Sequence, residues 1–423
     1  MNDKPTADLY FKGASEIITG LSDDDRLVRM NNSALAVKDG RILSVGPISQ
    51  VETDVDVTAA KVIDLSGKIM APGFVDCHTH LIFGKSRSRE FALKMTKTVA
   101  EIEAMGFDTG IPASIKMTRE TSEDELFDTA MDRLNRMLHH GTTTVESKSG
   151  YGINRADEIK MLRVNRRLVA SQPVDIVSTF LGAHDYPPEI DRNRQSERNR
   201  YIETLLHEMI PEVAESGLAE FCDVYCDDGY FTVKETRRIL EASIHHGLRA
   251  KIHTDAYASI GGSALAAELP AISAEHLNYT SSREMTAMAE AGVVGVVLPA
   301  LDFAVAHTRP AAPRAMIDAG MILALGTNLN PGNWAESMRF VILLACRNHG
   351  MSLKEAFIAA TVGAAKAIGR DADIGSLEKG KKADIQIWDI PESEHLIYRL
   401  DYNPVVSVIK DGRVLFDNEK RNS

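Results

Sequence analysis

Eight short apolar runs recur through the middle of this chain, and each breaks into polar residues at its C-terminal end. They are "GFVDCHTH", "TTTVESKSG", "DIVSTFLGAH", "FCDVYCDD", "LRAKIHTD", "AISAEHL", "GVVGVVLPA" and "MILALGTNLNP". Amphipathic stretches separate them, among them "SEDELFDTAMDRLNRMLHHG" and "TVKETRRILEASIHHG". The second opens at Thr232 with Glu235 three residues on and closes at a glycine, which predicts a helix started by a reciprocal side-chain cap. Eight strand–helix units in ~300 residues predict an α/β chain built on a (β/α)8 TIM barrel. The rival, an open doubly wound sheet, needs a Gly-x-Gly-x-x-Gly turn after a strand, and no run here is followed by one.

The two ends read differently. "ALAVKDGRILSVGP" and "VVSVIKDGRVLF" each join β-rich runs through Asp-Gly, a strong hairpin signal. "KVIDLSGKIMAPGF" reads as a further hairpin, and "KKADIQIWDI" alternates polar and apolar. Residues 1–70 and 371–423 are therefore expected to pair into one small β-sandwich domain, leaving 71–370 to the barrel. The N-terminal "MNDKPTADLYFKGASEIITG" has no basic stretch leading into an apolar core, so no signal peptide is expected. No apolar run approaches the ~20 residues of a membrane helix. Four scattered cysteines fit a reducing cytoplasm, with Cys222 and Cys226 read as buried structural residues rather than a zinc site. A net charge of -12 argues against a nucleic-acid partner, which would need a basic stripe.

In a barrel of this kind, chemistry sits at the C-terminal ends of the strands. Polar residues stand there in seven of the eight runs: His78 and His80, Lys148 and Tyr151, His184, Asp227, His253, His276 and Asn328. His78 and His80 are two apart on a strand, so both imidazoles point to one face, as two ligands of one divalent ion would. A lone His-x-His is weak and can be a coincidence of strand-end residues. His253 in "KIHTD" and His276 in "SAEHL" strengthen the metal reading.

The stretches "APGFVDCHTHLIFGKSRSREF", "GTTTVESKSGYG", "TFLGAHDYPPE", "DVYCDDGYF", "KIHTDAYASIGGSALAAEL", "SAEHLNYTS" and "NPGN" resemble the amidohydrolase superfamily over nearly the whole chain. "KSGYG" and "LGAHDYPPE" resemble its imidazolonepropionase branch, the ring-opening hydrolases of histidine degradation. The resemblance implies metal ligands at His78, His80, His253 and the position of Asn328, and an active-site histidine at His276. It also implies that Arg87, Tyr151 and His184 hold the carboxylate and ring of a small anionic heterocyclic substrate. The superfamily's bridging lysine is missing from "FCDVYCDD", which implies one divalent metal: zinc or iron, with manganese or cobalt also compatible with such ligands.

Three positions depart from the family's pattern. Asn328 stands for an aspartate, Ala256 for a Glu or Gln, and "MTKTVAEIEAMGFDTGI" lacks the family's tyrosine. An asparagine oxygen can coordinate, but its amide cannot carry a proton from water to a leaving nitrogen. Relative to an aspartate, the site is one unit more positive, which should acidify a bound water further and hold the metal less tightly. His276 is then the expected catalytic shuttle, beside Asn328 on the metal, with Asp255 and Glu275 as outside candidates. Arg87 offers a bidentate fork to a propionate, against the plainer reading of a solvated loop arginine. Tyr151, flanked by glycines, suits a ring-contacting loop, against a buried rim tyrosine. The expected reaction is hydrolysis of 4-imidazolone-5-propionate to N-formimino-glutamate. The alternatives are a related hydantoin- or thiohydantoin-propionate, cleaved by cyclic amidase or desulfhydrase chemistry, and a non-catalytic metal and ligand binder. A homodimer is the base-rate expectation for a barrel enzyme of this size.

Overall fold

The computed structural model describes residues 4–23 and 26–417; the first three residues, residues 24–25 and the last six lie outside the described residues. The eight apolar runs form eight strands: β1 (Phe74–Asp76), β2 (Thr142–Lys148), β3 (Asp175–Ala183), β4 (Phe221–Cys226), β5 (Arg249–Thr254), β6 (Ser273–His276), β7 (Val294–Val297) and β8 (Leu323–Leu325). They lie in one sheet in sequence order, every neighbour parallel. Closure comes just beyond the strand ends. Thr79 bridges Leu329, the His80 amide donates to the Leu329 carbonyl at 2.8 Å, and the Asn328 amide donates to the His78 carbonyl at 3.0 Å. The seam that shuts the barrel is thus the His-x-His segment against the asparagine loop.

Parallel pairing forces a crossover between consecutive strands, and helices supply it. Those at Glu123–His139, Arg155–Ser171, Val233–His245 and Ser282–Ala291 each begin with a side-chain cap, from Ser122, Asn154, Thr232 and Ser281. The Thr232–Glu235 cap is reciprocal, as its spacing predicts, and the helix stops where the Gly247 amide folds back to Ile244. Between β3 and β4, helix Gln195–Thr204 widens into a π-turn at Leu205–Met209 before continuing as Ile210–Glu215. Pro211, which has no N–H to donate, sits just after the widened turn. Among the described residues, no helix is long and apolar enough to cross a membrane.

The two ends of the chain form two further sheets. One has four strands, in the order Arg41–Pro47, Ser33–Lys38, Leu9–Ala14, Lys61–Asp64. The other has six, Arg413–Asp417, Val405–Lys410, Ile385–Trp388, Ile69–Pro72, Glu16–Asp23, Arg26–Met30, and so joins strands from both ends. Phe11, Leu35, Val37, Ile42, Met70, Ile385, Ile387 and Ile409 fill the space between. Both Asp-Gly pairs make hairpin turns with two left-handed residues: Asp39 and Gly40 at φ 49° and 76°, Asp411 and Gly412 at 47° and 71°. The turns abut so closely that a Cβ on Gly40 would stand 2.8 Å from the Asp411 carbonyl oxygen.

The expected hairpin in "KVIDLSGKIMAPGF" does not form. Lys61–Asp64 pairs parallel with Leu9–Ala14 in the smaller sheet, whereas Ile69–Pro72 enters the larger one. The Asp64 carboxylate accepts from the Ser66 amide and hydroxyl, making a local turn that carries the chain from one sheet to the other. The small domain packs on the barrel through Phe74, Phe357 and Trp388, and through Lys410, which reaches Asp175 at the start of β3 at 2.9 Å. That contact lies at the opposite end of β3 from His184, so it leaves the strand C-termini free for the site.

Candidate metal centre

His78 and His80, just past β1, and His253, near the end of β5, point into the barrel with their ligand nitrogens all within 4.8 Å of one another. The ring centroids stand 5.7 Å apart for His78 and His80, 4.5 Å for His78 and His253, and 5.7 Å for His80 and His253. The Nδ1 of His78 lies 2.7 Å from a Glu275 carboxylate oxygen, and that of His253 lies 2.7 Å from Asp223. A carboxylate behind Nδ1 fixes the tautomer and leaves the Nε2 lone pair facing forward. Both nitrogens of His78 and of His253 are buried without a well-formed hydrogen bond, the Nδ1 atoms lying against carboxylates and the Nε2 atoms facing forward with no partner, and Oδ1 of Asn328 is buried without a partner too. Leaving such groups unsatisfied costs about 1–3 kcal/mol each, and a cation among them removes that cost. Burial pushes His78 down to about 3 and His80 well below its ordinary range, so both are neutral, the form that ligates metal. The donor set fits a divalent ion.

Below the histidines lies a layer of charge. Lys148 contacts Glu146, Asp223 and Glu275 at 2.8–3.0 Å, and Lys251 contacts Glu146 and Glu275 at 2.8 and 3.0 Å, all fully buried. Burial opposes charge on Glu275, but Lys148 and Lys251 outweigh it and hold its carboxyl well below the usual range. Lys148 is therefore not a mouth residue, as its strand-end position suggested; it points down into the core. Glu275 and Asp255 are likewise engaged. The first supports His78, and the second accepts hydrogen bonds from Ser263 and Thr280 at 2.6 and 2.8 Å. Asp227 accepts from the amides of Ala256, Tyr257 and Ala258 and so shapes the loop after β5.

The other expected residues ring the pocket. His276 ends β6, its ring 5.6 Å from His78 and 5.1 Å from His253. His184 stacks on His80 at 4.8 Å, with Tyr151 5.4 Å from His80 and 5.3 Å from His184. The His184 Nδ1 lies 2.9 Å from the Gly150 carbonyl, which anchors the "SGYG" loop. His276 and Asn328 adopt left-handed backbone, φ 78° and 49°, a strained conformation that concentrates at functional sites. Gly326 permits the asparagine loop to come in, since a Cβ there would stand 2.7 Å from that of His78. Arg87 lies across the "NPGN" turn: its amide donates to the Pro331 carbonyl, and a Cβ on Gly332 would fall 2.1 Å from its Nη2. Its Nη1 is shared between the two Glu90 oxygens at 3.2 Å, while its buried Nε has no partner.

Sequence reasoning passed over Asp76, Glu90, Glu146, Asp223, Tyr225 and Lys251. Asp76 takes the Thr327 hydroxyl at 2.6 Å and ties β1 to the β8 loop. The signal for Asp223 and Tyr225, and for Lys251 and His253, was the period-2 alternation of β4 and β5, which puts each pair on one inward face. The four cysteines are all free, with Cys222 and Cys226 buried as expected.

Fold and site together define a barrel protein that gathers imidazoles able to hold a metal ion at its strand C-termini, the end from which TIM-barrel enzymes work. The chain belongs to the amidohydrolase family, which it matches over residues 69–415. It is similar to the imidazolonepropionase of Symbiobacterium thermophilum, 44% identical over 98% of each chain, and to that of Geobacillus kaustophilus, 44% identical over 92% of each. Among solved structures, its fold resembles a guanine deaminase from C. acetobutylicum, with TM-score 0.71 and 17% identity over 96% of this chain and 99% of that one. It also resembles an adenosine deaminase from Xanthomonas campestris with bound zinc, with TM-score 0.69 and 19% identity over 98% and 94%.

Proposed function

We propose that this chain is a cytoplasmic, metal-dependent hydrolase that adds water across a ring C–N bond of 4-imidazolone-5-propionate and releases N-formimino-glutamate. The unpartnered Nε2 atoms of His78 and His253, each backed by a carboxylate at 2.7 Å, carry this reading. The names of the full-length relatives support the substrate, and favour it over hydantoin or thiohydantoin analogues and over a non-catalytic binder. His78, His80, His253 and Asn328 would hold one divalent ion, zinc or iron before manganese or cobalt. Such an ion would supply Lewis-acid polarisation and lower the pKa of a bound water toward ~7. His276 takes the water's proton and returns it to the leaving nitrogen. Arg87 receives the propionate with its free Nε edge, Glu90 holding the other side of the guanidinium. His184 and Tyr151 form one wall for the ring; burial keeps the Tyr151 hydroxyl protonated, so it donates. The division into a barrel, 71–370, and a small domain, 1–70 with 371–423, and a homodimeric assembly belong to the same proposal.

The test is the rate at which the metal-loaded protein consumes imidazolone-propionate, followed by loss of ring absorbance. Rapid turnover supports the reading. No turnover with metal bound would move the assignment to the hydantoin and thiohydantoin analogues, assayed alongside. Asn328→Asp gives a second, activity-free check. Restoring an anion beside the cation is expected to tighten metal binding by at least about tenfold in a chelator competition; unchanged affinity would remove Asn328 from the ligand set.

A further inference from the structure

We propose that Tyr225 is a positioning residue for His276, holding the imidazole by its ring face; this rests on the reading of His276 as the proton shuttle. The two histidines that face the metal pocket beside it are each steered by a carboxylate. His276 is not: among the described residues, nothing forms a hydrogen bond with its ring. What flanks it instead is Tyr225, whose ring lies 6.2 Å away and within 12° of parallel. Tyr230 stacks on Tyr225 at 4.0 Å and so braces its ring. Tyr225 is buried, 5% exposed. It occupies β4 directly beside His253 in register, the inward position one layer above Asp223.

A proton shuttle needs its ring plane fixed and at least one nitrogen free. A hydrogen-bonding partner would occupy one nitrogen; an aromatic face fixes the plane and occupies neither. The left-handed backbone of His276, φ 78°, then sets where the side chain leaves the strand, and Tyr225 sets how it turns. The hydroxyl has no part in this; the ring does.

Two substitutions separate ring from hydroxyl. Tyr225→Leu keeps bulk and removes the aromatic face, and is expected to lower kcat about 10- to 100-fold with KM changed less than about threefold, the range a misplaced catalytic group produces. Tyr225→Phe is expected to retain kcat within about twofold, because offset stacking needs only the ring. Metal content should match wild type in both. A Leu variant with wild-type kcat, a Phe variant as slow as the Leu variant, or metal loss in the Leu variant would each overturn the proposal. If the Leu variant fails to fold, Tyr230→Leu, which removes the ring stacked on Tyr225, is expected to lower kcat about threefold or more by loosening Tyr225; no change there also overturns it. An activity-free reading comes from the His276 ring proton, assigned by its disappearance in His276→Ala. Its chemical shift should move in Tyr225→Leu and hold in Tyr225→Phe, even if imidazolone-propionate proves the wrong substrate. Full activity in His276→Ala would sink the shuttle reading itself, whereas an inactive His276→Ala beside an unaffected Tyr225→Leu sinks only this one.

Discussion

His276→Ala is expected to keep its metal and lose about 10²- to 10⁴-fold in kcat, the usual contribution of a positioned acid–base group. Elimination among the groups that face the pocket leads to this residue. The water's proton cannot pass through Asn328, whose amide has no titratable site. Ala256 has no polar side-chain atom. Asp227 is saturated by three backbone amides, Asp255 by Ser263 and Thr280, and Asp223 and Glu275 by lysines and by the ligand histidines above them. His184 has one nitrogen committed at the Gly150 carbonyl and its face on His80. Among the described residues, only His276 combines nearness to both His78 and His253 with a ring that no carboxylate holds, and burial pushes it well below its ordinary range, so it is neutral and can act as a base. Because it is not among the proposed ligands, metal content should be unchanged, and a change confined to kcat would separate its role from that of His253. Near-wild-type turnover in this variant sinks the assignment.

The same elimination shows what a sequence can and cannot disclose here. The eight strands were legible because each combines an apolar run with a polar break, and helical periodicity fills the gaps. The convergence of His78, His80, His253 and His276 was legible because parallel strands in a barrel all end on one side. The charged layer beneath was not. Glu146, Lys148, Asp223, Lys251 and Glu275 lie on four different strands, and each alone reads as a strand-end or half-exposed residue. Their partners exist only once the barrel closes, so Lys148 was mistaken for a mouth residue. The false hairpin at "KVIDLSGKIM" failed for a related reason: an Asx turn at Asp64 looks the same locally whether the next strand returns to the same sheet or leaves for another. Tyr225 was hidden because an aromatic on a barrel strand is usually packing, and only its angle to His276 distinguishes it.

The charged layer is also where the largest stability effect is expected. Lys148→Met should destabilise the folded protein by about 3–5 kcal/mol, the cost of leaving buried charge uncompensated. In the intact layer two ammonium groups face three carboxylates, and Lys148 alone touches all three. Burial opposes the charge on Lys148, but Asp223, Glu146 and Glu275 outweigh it and raise its pKa well above the ordinary value, so removal subtracts a full positive charge. Lys251 would remain as the sole cation, contacting Glu146 and Glu275 but not Asp223. Methionine fills the volume, so the loss is electrostatic rather than a cavity. Urea unfolding of the metal-free protein isolates the effect from metal binding. Adding Glu146→Gln to Lys148→Met should recover part of the loss, because it deletes one of the two carboxylates left to share Lys251, and one that touches neither His78 nor His253. The two changes are therefore expected to be non-additive. A single variant within about 1 kcal/mol of wild type, well under the penalty for an unpaired buried charge, would mean that water or proton uptake relieves the layer. The carboxylates under the metal ligands would then be free to take up protons, and the steering of His78 and His253 by Glu275 and Asp223 would have to be argued without fixed charge.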